Sequence, residues 1–170
     1  MPAGGSAAAA VVAMAAALLE KAARLSTGHW ASAEVALEQA NALRLRAEEL
    51  VEADSLAYMS FVEAMRAAKT LRGQARERAV APARAMTVDV PLAIARLAAE
   101  TVELASTLAA KGNPNLRADA MVAATISAGA ATAAAKLIAV NLAGARKDPR
   151  LDEARRTAQA TNDKAALLGD

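Results

Sequence analysis

Asp54 is the first residue in this sequence whose position suggests chemistry. It falls within the apolar stripe of a predicted helix, at about 100° per residue. That stripe consists of Leu43, Leu50, Ala57 and Phe61. A carboxylate on a buried face is costly unless it is paired or hydrogen-bonded. Asp54 is therefore either satisfied by a neighbouring helix or held as a base or electrostatic partner, and the residues alone favour neither.

Asp119 is the second candidate carboxylate, in the first turn of the most apolar predicted helix. An acidic residue at that point complements the helix dipole, and spacing alone favours this structural interpretation. The functional alternative is a carboxylate at the bottom of a cleft, beside the turn that Gly112 and Asn113 begin.

Two further groups of residues are candidates for ligand binding. Gly4, Gly5 and Ser6 precede an alanine-rich run, and backbone N–H groups at such a helix start can bind an anion. Lys136 and Asn141 lie on the apolar helix and could contact a substrate, although Lys136 could equally extend its stem to solvent.

Several classes of site are excluded by composition. The chain has no cysteine and one histidine, His29, so neither a disulfide nor a zinc constellation can be assembled. There is no Walker loop, no G-x-G-x-x-G and no defensible Ser-His-Asp order. The 20 basic and 18 acidic residues give a net charge of +2, too balanced to indicate nucleic-acid binding. The lack of cysteine agrees with a cytoplasmic protein.

The apolar periodicity predicts an all-α protein of one domain, 1–170, with no strand pattern. Helices are expected at 6–25, 32–68, 91–111, 117–142 and 150–168, with Ser6 as the first N-cap. The stretch 69–90 contains Gly73, Pro82 and a basic run, which predicts a turn, a broken helix and an exposed connection. The expected architecture is an up-and-down bundle of about five to six helices.

Two apolar runs were weighed as membrane segments, 7–19 and 120–135. Both fall short of the ~20 residues that a membrane span needs, so we expect a soluble chain with buried core helices. Aromatic residues make up 2% of the sequence while hydrophobic residues make up 55%. Small side chains each bury little area, which predicts that the bundle also buries a surface against a second copy.

Six segments, in this order and spacing, resemble the motifs of one known family. The glycine segment resembles P-G-G-G-S, residues 51–58 resemble V-D-A-D-A-E-A-F, and residues 112–124 resemble G-N-x-x-x-x-S-D-x-x-V-A-A. The other matching segments are Thr27-Gly28, Val90-Pro91-Leu92 and Val140-Asn141-Leu142.

The family is the cyclodeaminase domain of formiminotransferase-cyclodeaminase, together with the standalone bacterial methenyltetrahydrofolate cyclohydrolases. The resemblance implies a helical homodimer that binds a folate between helices and reacts at the N5–N10 bridge of tetrahydrofolate. It implies a tetrahydrofolate derivative as substrate, with no metal and no cofactor. A chain without a formiminotransferase domain slightly favours the cyclohydrolase. The implied catalytic residues are Asp54 and Asp119, and the implied substrate-binding residues are Gly4, Gly5, Ser6, Asn113, Tyr58 and Asn141.

Departures from the family pattern motivate the alternatives. They are Ala3, His29, Trp30, Leu56, Ala118 and Leu137. The runner-up is a catalytically altered member that serves as a ligand-binding or scaffold protein, and a third possibility is a generic helical interaction protein. The folate mechanism depends on one spatial hypothesis: Asp54 and Asp119 meet in a pocket that the N-terminal glycines close.

Overall fold

The computed structural model describes residues 4–142 and 148–169. Over these two ranges the chain forms five α-helices and one short 3-10 helix at Pro114–Leu116, and it contains no strand. The helices are α1 Gly4–Arg24, α2 Ala33–Ala67, α3 Gly73–Lys111, α4 Arg117–Asn141 and α5 Pro149–Ala166. The predicted all-α class is confirmed.

Four of the five predicted helices agree with the structure to within two residues at each end. The prediction that Ser6 caps α1 is wrong, because α1 begins at Gly4 and Ser6 lies inside its first turn. Gly112 ends α3 as predicted, with its N–H donating to the carbonyl of Leu108. The predicted end of α4 at Gly144 lies outside the described residues.

The prediction for residues 69–90 is wrong, because α3 begins at Gly73 and continues through both Pro82 and Pro91. A proline inside a helix removes one N–H and so leaves the carbonyl four residues earlier without its helical donor. For Pro91 that carbonyl belongs to Thr87, and it accepts a hydrogen bond of 2.7 Å from Asn141 Nδ2 instead. The lost bond is thus replaced by one from α4.

The core is built largely from alanine, which lets the helices approach one another closely. Its largest fully buried side chains include Leu19, Ile94, Leu97 and Ile138. The helices α1 and α4 run antiparallel, because the start of α1 at Gly4 faces Leu137 while Lys21 near its end bonds to Asp119. Gly4 and Asp119 therefore lie at opposite ends of the bundle.

Helix α4 is central, as its apolar residues predict, but it is not buried all round. It packs against α1, α3 and α5, but Val122 and Val140 are 52% and 70% exposed. Helix α1 and the stretch Pro114–Asn141 are each long and apolar enough to cross a membrane by length and composition, and half of each apolar window is buried in the bundle. Both helices thus present an apolar face that residues 4–142 and 148–169 leave uncovered.

We expect Asp148→Ala to lower the free energy of unfolding by about 1 kcal/mol, the usual contribution of an N-cap. Asp148 caps α5 by accepting from the backbone N–H of Arg150, and it also accepts from the Arg150 guanidinium. Urea unfolding at pH 7 measures the loss, and Asp148→Asn, which retains a capping side chain, should lose less.

The same interaction predicts a pH dependence. The hydrogen bond from the Arg150 side chain lowers the pKa of Asp148 below 3.8. A lowered pKa stabilises the folded state above the unfolded-state value and ceases to do so as the pH falls through the folded-state value. The stability difference between wild type and Asp148→Ala should therefore be constant above about pH 5 and shrink below about pH 4. An unchanged difference at pH 3 would contradict this assignment.

Candidate functional site

A cavity of about 280 Å³ lies where the start of α1 meets the middle of α2 and α3 and the end of α4. We call it the Asp54 cavity. Its lining consists of Gly4, Gly5, Asp54, Ala57, Tyr58, Phe61, Arg84, Thr87, Pro91, Leu137, Val140 and Asn141. The volume is near the lower end of the ~300–1,000 Å³ that is typical of small-molecule sites.

The carboxylate of Asp54 is held by the N-terminus of α1. The backbone N–H of Ser6 donates to Asp54 Oδ2 at 2.7 Å, and Ser6 Oγ lies 2.9 Å from the same oxygen. Asp54 is 8% exposed. A carboxylate at a helix N-terminus satisfies an unpaired backbone donor and complements the helix dipole. Hydrogen bonds from a neighbouring helix, one of the two explanations offered for this buried acid, therefore satisfy its Oδ2 atom.

Ser6 also connects this carboxylate to the backbone of α2. Its Oγ lies 3.1 Å from the carbonyl oxygen of Val51 and 3.1 Å from Ser55 Oγ. The hydroxyl of Ser6 has one proton and can donate to either the carboxylate or the Val51 carbonyl, while Ser55 can donate to Ser6. The carboxylate is consequently fixed from two directions.

Position 5 must be glycine because the Asp54 carboxylate packs directly against α1 at this point. A Cβ atom at Gly5 would lie 2.0 Å from Asp54 Oδ1 and 2.5 Å from Asp54 Cγ. The Gly4-Gly5-Ser6 segment was predicted to bind an anion of a ligand. For Ser6 that prediction is wrong, because its N–H binds the protein's own Asp54. Gly4 and Gly5 line the cavity, and their part of it stays a prediction.

The second oxygen of Asp54 is the one available to a ligand. Within residues 4–142 and 148–169, Oδ2 accepts both hydrogen bonds from Ser6 and no hydrogen bond reaches Oδ1. Asp54 lines the cavity, and Oδ1 packs against Gly5 while keeping lone pairs that could accept a proton or a hydrogen bond. A general base needs a fixed orientation and an oxygen with a free lone pair.

The side chain of Asn141 is oriented by the carbonyl of Thr87, which lacks its helical donor because residue 91 is a proline. Its Nδ2 donates to the carbonyl of Thr87 at 2.7 Å, which assigns the amide nitrogen to that side and leaves Oδ1 as an acceptor. Both residues line the Asp54 cavity. The site therefore offers a fixed amide oxygen to an N–H group of a ligand.

Tyr58, Phe61 and Arg84 give the cavity its remaining chemical character. Tyr58 is 55% exposed and lies at the mouth, while Phe61 is half-buried. Aromatic side chains pack on flat heteroaromatic rings. The guanidinium of Arg84 forms an ion pair with Glu77, and it lies where it could bind a carboxylate of a ligand.

Sequence reasoning missed Arg84 and Thr87 as cavity residues because it placed the segment 69–90 in an exposed connection. A signal was present, since positions 84, 87, 88 and 91 share one face at helical spacing. The two prolines concealed that face by suggesting that the helix was broken.

Two predicted site residues, Asp119 and Asn113, lie far from this cavity. Asp119 Oδ2 accepts from Lys21 Nζ at 2.7 Å. Asn113 donates from its side chain to the carbonyl of Leu25 and caps the 3-10 helix by accepting from Asn115 N–H. The 18 residues of α4 from Asp119 to Leu137 span roughly 27 Å. The prediction that Asp54 and Asp119 meet in one pocket of a single chain is therefore wrong.

The remaining candidates are also outside the Asp54 cavity. Lys136 is exposed on the outer side of α4 and His29 is exposed in the turn after α1. Leu56 is exposed on α2 and does not line the cavity, whereas Leu137 does. No group of three or more His, Cys, Asp or Glu residues that could hold a metal occurs in the described part of the chain.

An all-α bundle with a small-molecule-sized cavity between its helices is the class that the fold and the site define. The chain belongs to the formiminotransferase-cyclodeaminase family, whose sequence profile matches residues 1–160. The resemblance noted from its motifs is thus confirmed. This is a family of folate cyclodeaminases and cyclohydrolases.

The fold is also similar to a solved structure, the formiminotetrahydrofolate cyclodeaminase from Thermotoga maritima. The TM-score is 0.82 at 21% sequence identity, over 98% of this chain and 87% of that chain. No curated protein sequence matches the chain.

We expect Gly5→Ala to destabilise the protein although alanine is the better helix former. Helix propensity alone would favour alanine by about 1 kcal/mol, but the new methyl group would overlap the Asp54 carboxylate, and overpacking costs about 1–3 kcal/mol. Urea unfolding measures the sign of the change. The matched control is Gly28→Ala, whose Cβ would meet no atom within 4 Å and which should be close to neutral. A stabilised Gly5→Ala would contradict the packing described here.

Proposed function

We propose that this protein is a folate one-carbon enzyme that acts on the N5–N10 bridge of tetrahydrofolate. The observation that carries the proposal is the geometry of Asp54, which lines the cavity with one oxygen anchored by Ser6 and the other without a hydrogen bond from the described residues. A bridge carbon between two nitrogens is cationic and amidinium-like. A fixed carboxylate beside it both stabilises that charge and accepts a proton from water.

The favoured reaction is the methenyltetrahydrofolate cyclohydrolase reaction. Water attacks the bridge carbon and gives a proton to Asp54 Oδ1, so that a C–O bond forms. The hydroxyl group on that carbon then loses its proton to solvent as the C=O bond forms and the bond to N5 breaks. N5 takes the proton from Asp54, and the product is 10-formyltetrahydrofolate. Within the described lining, one carboxylate is present and neither lysine nor histidine is, which suits water activation better than protonation of departing ammonia. Formiminotetrahydrofolate cyclodeamination is the second reaction of this proposal.

The other residues of the Asp54 cavity have roles in binding. The rings of Tyr58 and Phe61 would pack on the flat pterin, and Asn141 Oδ1 would accept from a pterin N–H. Arg84 would bind a carboxylate of the substrate tail outside the small cavity. Gly4 and Gly5 form the wall behind the reacting carbon, and Ser6 positions Asp54.

The alternative is a family member that binds folate without turning it over. The observation in its favour is Leu137, which lines the cavity at a position where the family resemblance predicts an asparagine. An apolar side chain there supplies no hydrogen bond to the substrate or to the attacking water. Folate binding by calorimetry without turnover would support this alternative.

We also propose that the protein is a homodimer. The support is the apolar face that α1 and α4 expose side by side. The exposed residues of that face on α1 include Ala7, Met14 and Ala17, and those on α4 include Val122 and Gly129. A face of this kind on a folded chain marks an interaction surface.

Purified protein should accelerate the loss of the near-ultraviolet absorbance of methenyltetrahydrofolate. Asp54→Asn should lower kcat by about 100-fold or more, the usual effect of removing a general base. The matched control is Asp152→Asn, an exposed aspartate of α5, which should have wild-type kcat. If the wild type leaves both methenyltetrahydrofolate and 5-formiminotetrahydrofolate unchanged, the enzyme proposal is wrong.

Leu137→Asn distinguishes the two proposals. If Leu137 has removed the activity, the variant should gain turnover of methenyltetrahydrofolate while its affinity for folate, measured by calorimetry, changes little. If the wild type is already active, the same variant should change KM or kcat by less than about tenfold, roughly the effect of one hydrogen bond. A wild type that binds folate and a variant that stays inert would exclude Leu137 as the cause.

A further inference from the structure

Two serine hydroxyls lie behind the Asp54 carboxylate, outside the lining of the cavity. Ser6 is 1% exposed and Ser55 is half-buried, and neither residue lines the Asp54 cavity. Their Oγ atoms are 3.1 Å apart across the contact between α1 and α2. Ser6 Oγ lies 2.9 Å from Asp54 Oδ2. The three side chains therefore form a continuous chain from Ser55 through Ser6 to the carboxylate, which we call the serine chain.

Position 55 is one at which this sequence departs from the motif that it resembles. Residues 51–58 read V-E-A-D-S-L-A-Y, and the motif is V-D-A-D-A-E-A-F. Serine therefore stands directly after the buried acid, where the motif has alanine. Serine is a weaker helix former than alanine, and the hydrogen bond with Ser6 offsets that cost.

The proton of the Ser6 hydroxyl has two acceptors within reach. Ser6 Oγ lies 2.9 Å from Asp54 Oδ2 and 3.1 Å from the carbonyl oxygen of Val51. That carbonyl lies four residues before Ser55 inside α2, so it already accepts the helical N–H of Ser55. A carboxylate is the stronger acceptor of the two. The Ser6 proton is therefore directed to Asp54 when its hydroxyl is held in one orientation.

Ser55 supplies that orientation. A serine hydroxyl rotates about its Cβ–Oγ bond and has lone pairs that can accept. Among the residues that the structure describes, the hydroxyl able to donate to Ser6 Oγ is that of Ser55. Hydrogen bonds in such a chain polarise and strengthen one another. With alanine at position 55 the Ser6 hydroxyl could turn to the Val51 carbonyl, and Oδ2 would then keep the backbone N–H of Ser6 alone.

We propose that Ser55 is a positioning residue, which donates to Ser6 and thereby holds the Ser6 proton on Asp54 Oδ2. The second bond to Oδ2 fixes the orientation of the carboxylate and so the direction of Oδ1. Ser55 does not line the cavity, so it acts through Ser6 and not on the substrate. Its effect on turnover rests on the proposed function, whereas the serine chain itself is a property of the fold.

A double-mutant cycle in urea tests the serine chain without an assay of activity. The four proteins are wild type, Ser6→Ala, Ser55→Ala and the double variant, and the cycle measures the coupling between the two hydroxyls. Ser55→Ala should lower the urea midpoint when Ser6 is present. In the Ser6→Ala background it should leave the midpoint unchanged or raise it, because alanine is the better helix former and no hydroxyl remains to accept.

The matched control for position 55 is Ser60→Ala. Ser60 is also a half-buried serine of α2, and it is not part of the serine chain. Its replacement should have the same effect on the urea midpoint whether or not Ser6 is present. Ser55→Thr, which retains a hydroxyl, should keep most of the wild-type midpoint. This variant also tests the chain if the Ser6→Ala protein does not fold.

Turnover of methenyltetrahydrofolate tests the positioning role, at a temperature where every variant is folded. Ser55→Ala should lower kcat by about 3- to 10-fold, the effect of one hydrogen bond, and should leave KM unchanged. Ser55→Thr should restore at least half of the wild-type kcat, and Ser60→Ala should equal the wild type. In the Ser6→Ala background, replacing Ser55 should change kcat no further, because its effect passes through Ser6.

The outcomes separate this proposal from the proposed function. Additive losses in the urea cycle would overturn the serine chain. A coupled cycle with a wild-type kcat in Ser55→Ala, or equal kcat losses from Ser55→Ala with and without Ser6, would overturn the positioning role and leave the enzyme proposal intact. A wild type without turnover would overturn the proposed function, and the coupling in urea would still decide whether Ser55 acts on the Ser6 anchor of Asp54.

Discussion

The carboxylate of Asp54 and the N-terminus of α1 hold each other in place. The helix has backbone donors without partners, the acid is buried on α2, and the two Ser6 hydrogen bonds satisfy both. This contact joins the first helix to the second and creates one wall of the Asp54 cavity. Because the anchoring uses Oδ2, the interaction that stabilises the fold leaves Oδ1 without a hydrogen bond from the described residues. Structural and functional explanations of Asp54 are therefore compatible.

The proline in α3 acts in a similar way on the opposite wall. Pro91 cannot donate to the carbonyl of Thr87, and the side chain of Asn141 supplies the missing hydrogen bond. That bond ties α4 to α3 and turns the oxygen of the amide toward the cavity. In both walls, a backbone group that lacks its helical partner orients a polar side chain of another helix.

Most of the helices could be predicted because their apolar stripes recur at helical spacing and their ends have Gly112, Pro114 and Pro149 as stop or start residues. The part of α3 before Pro91 could not, since Pro82 and Pro91 normally end a helix. The replacement bond to Thr87 comes from Asn141, more than 50 residues later. Asp54 could be recognised because a charge in an apolar stripe is visible locally. The distance to Asp119 could not, because it depends on the direction in which α1 and α4 pack.

The alanine-rich composition is compatible with two arrangements of α1 and α4, and only the packing distinguishes them. Alanine packs the inner sides of α1 and α4, and small or apolar residues such as Ala7, Met14, Val122 and Val140 continue around to their outer sides. Composition cannot distinguish a helix that is buried all round from one that is apolar all round and half exposed. The outer side of α4, with Val122, Gly129 and Val140 exposed, belongs to the second case.

The overlap between Gly5 and Asp54 has a consequence for how this protein can evolve. Any side chain at position 5 would overlap the carboxylate, so the glycine can change without rearrangement of the α1 start only after the acid has been lost. Related sequences should therefore vary at these two positions together, and a homologue with a bulky residue at the first should lack the acid at the second. This pair of positions would then act as a genetic marker that separates homologues with an intact cavity from those that retain the fold alone.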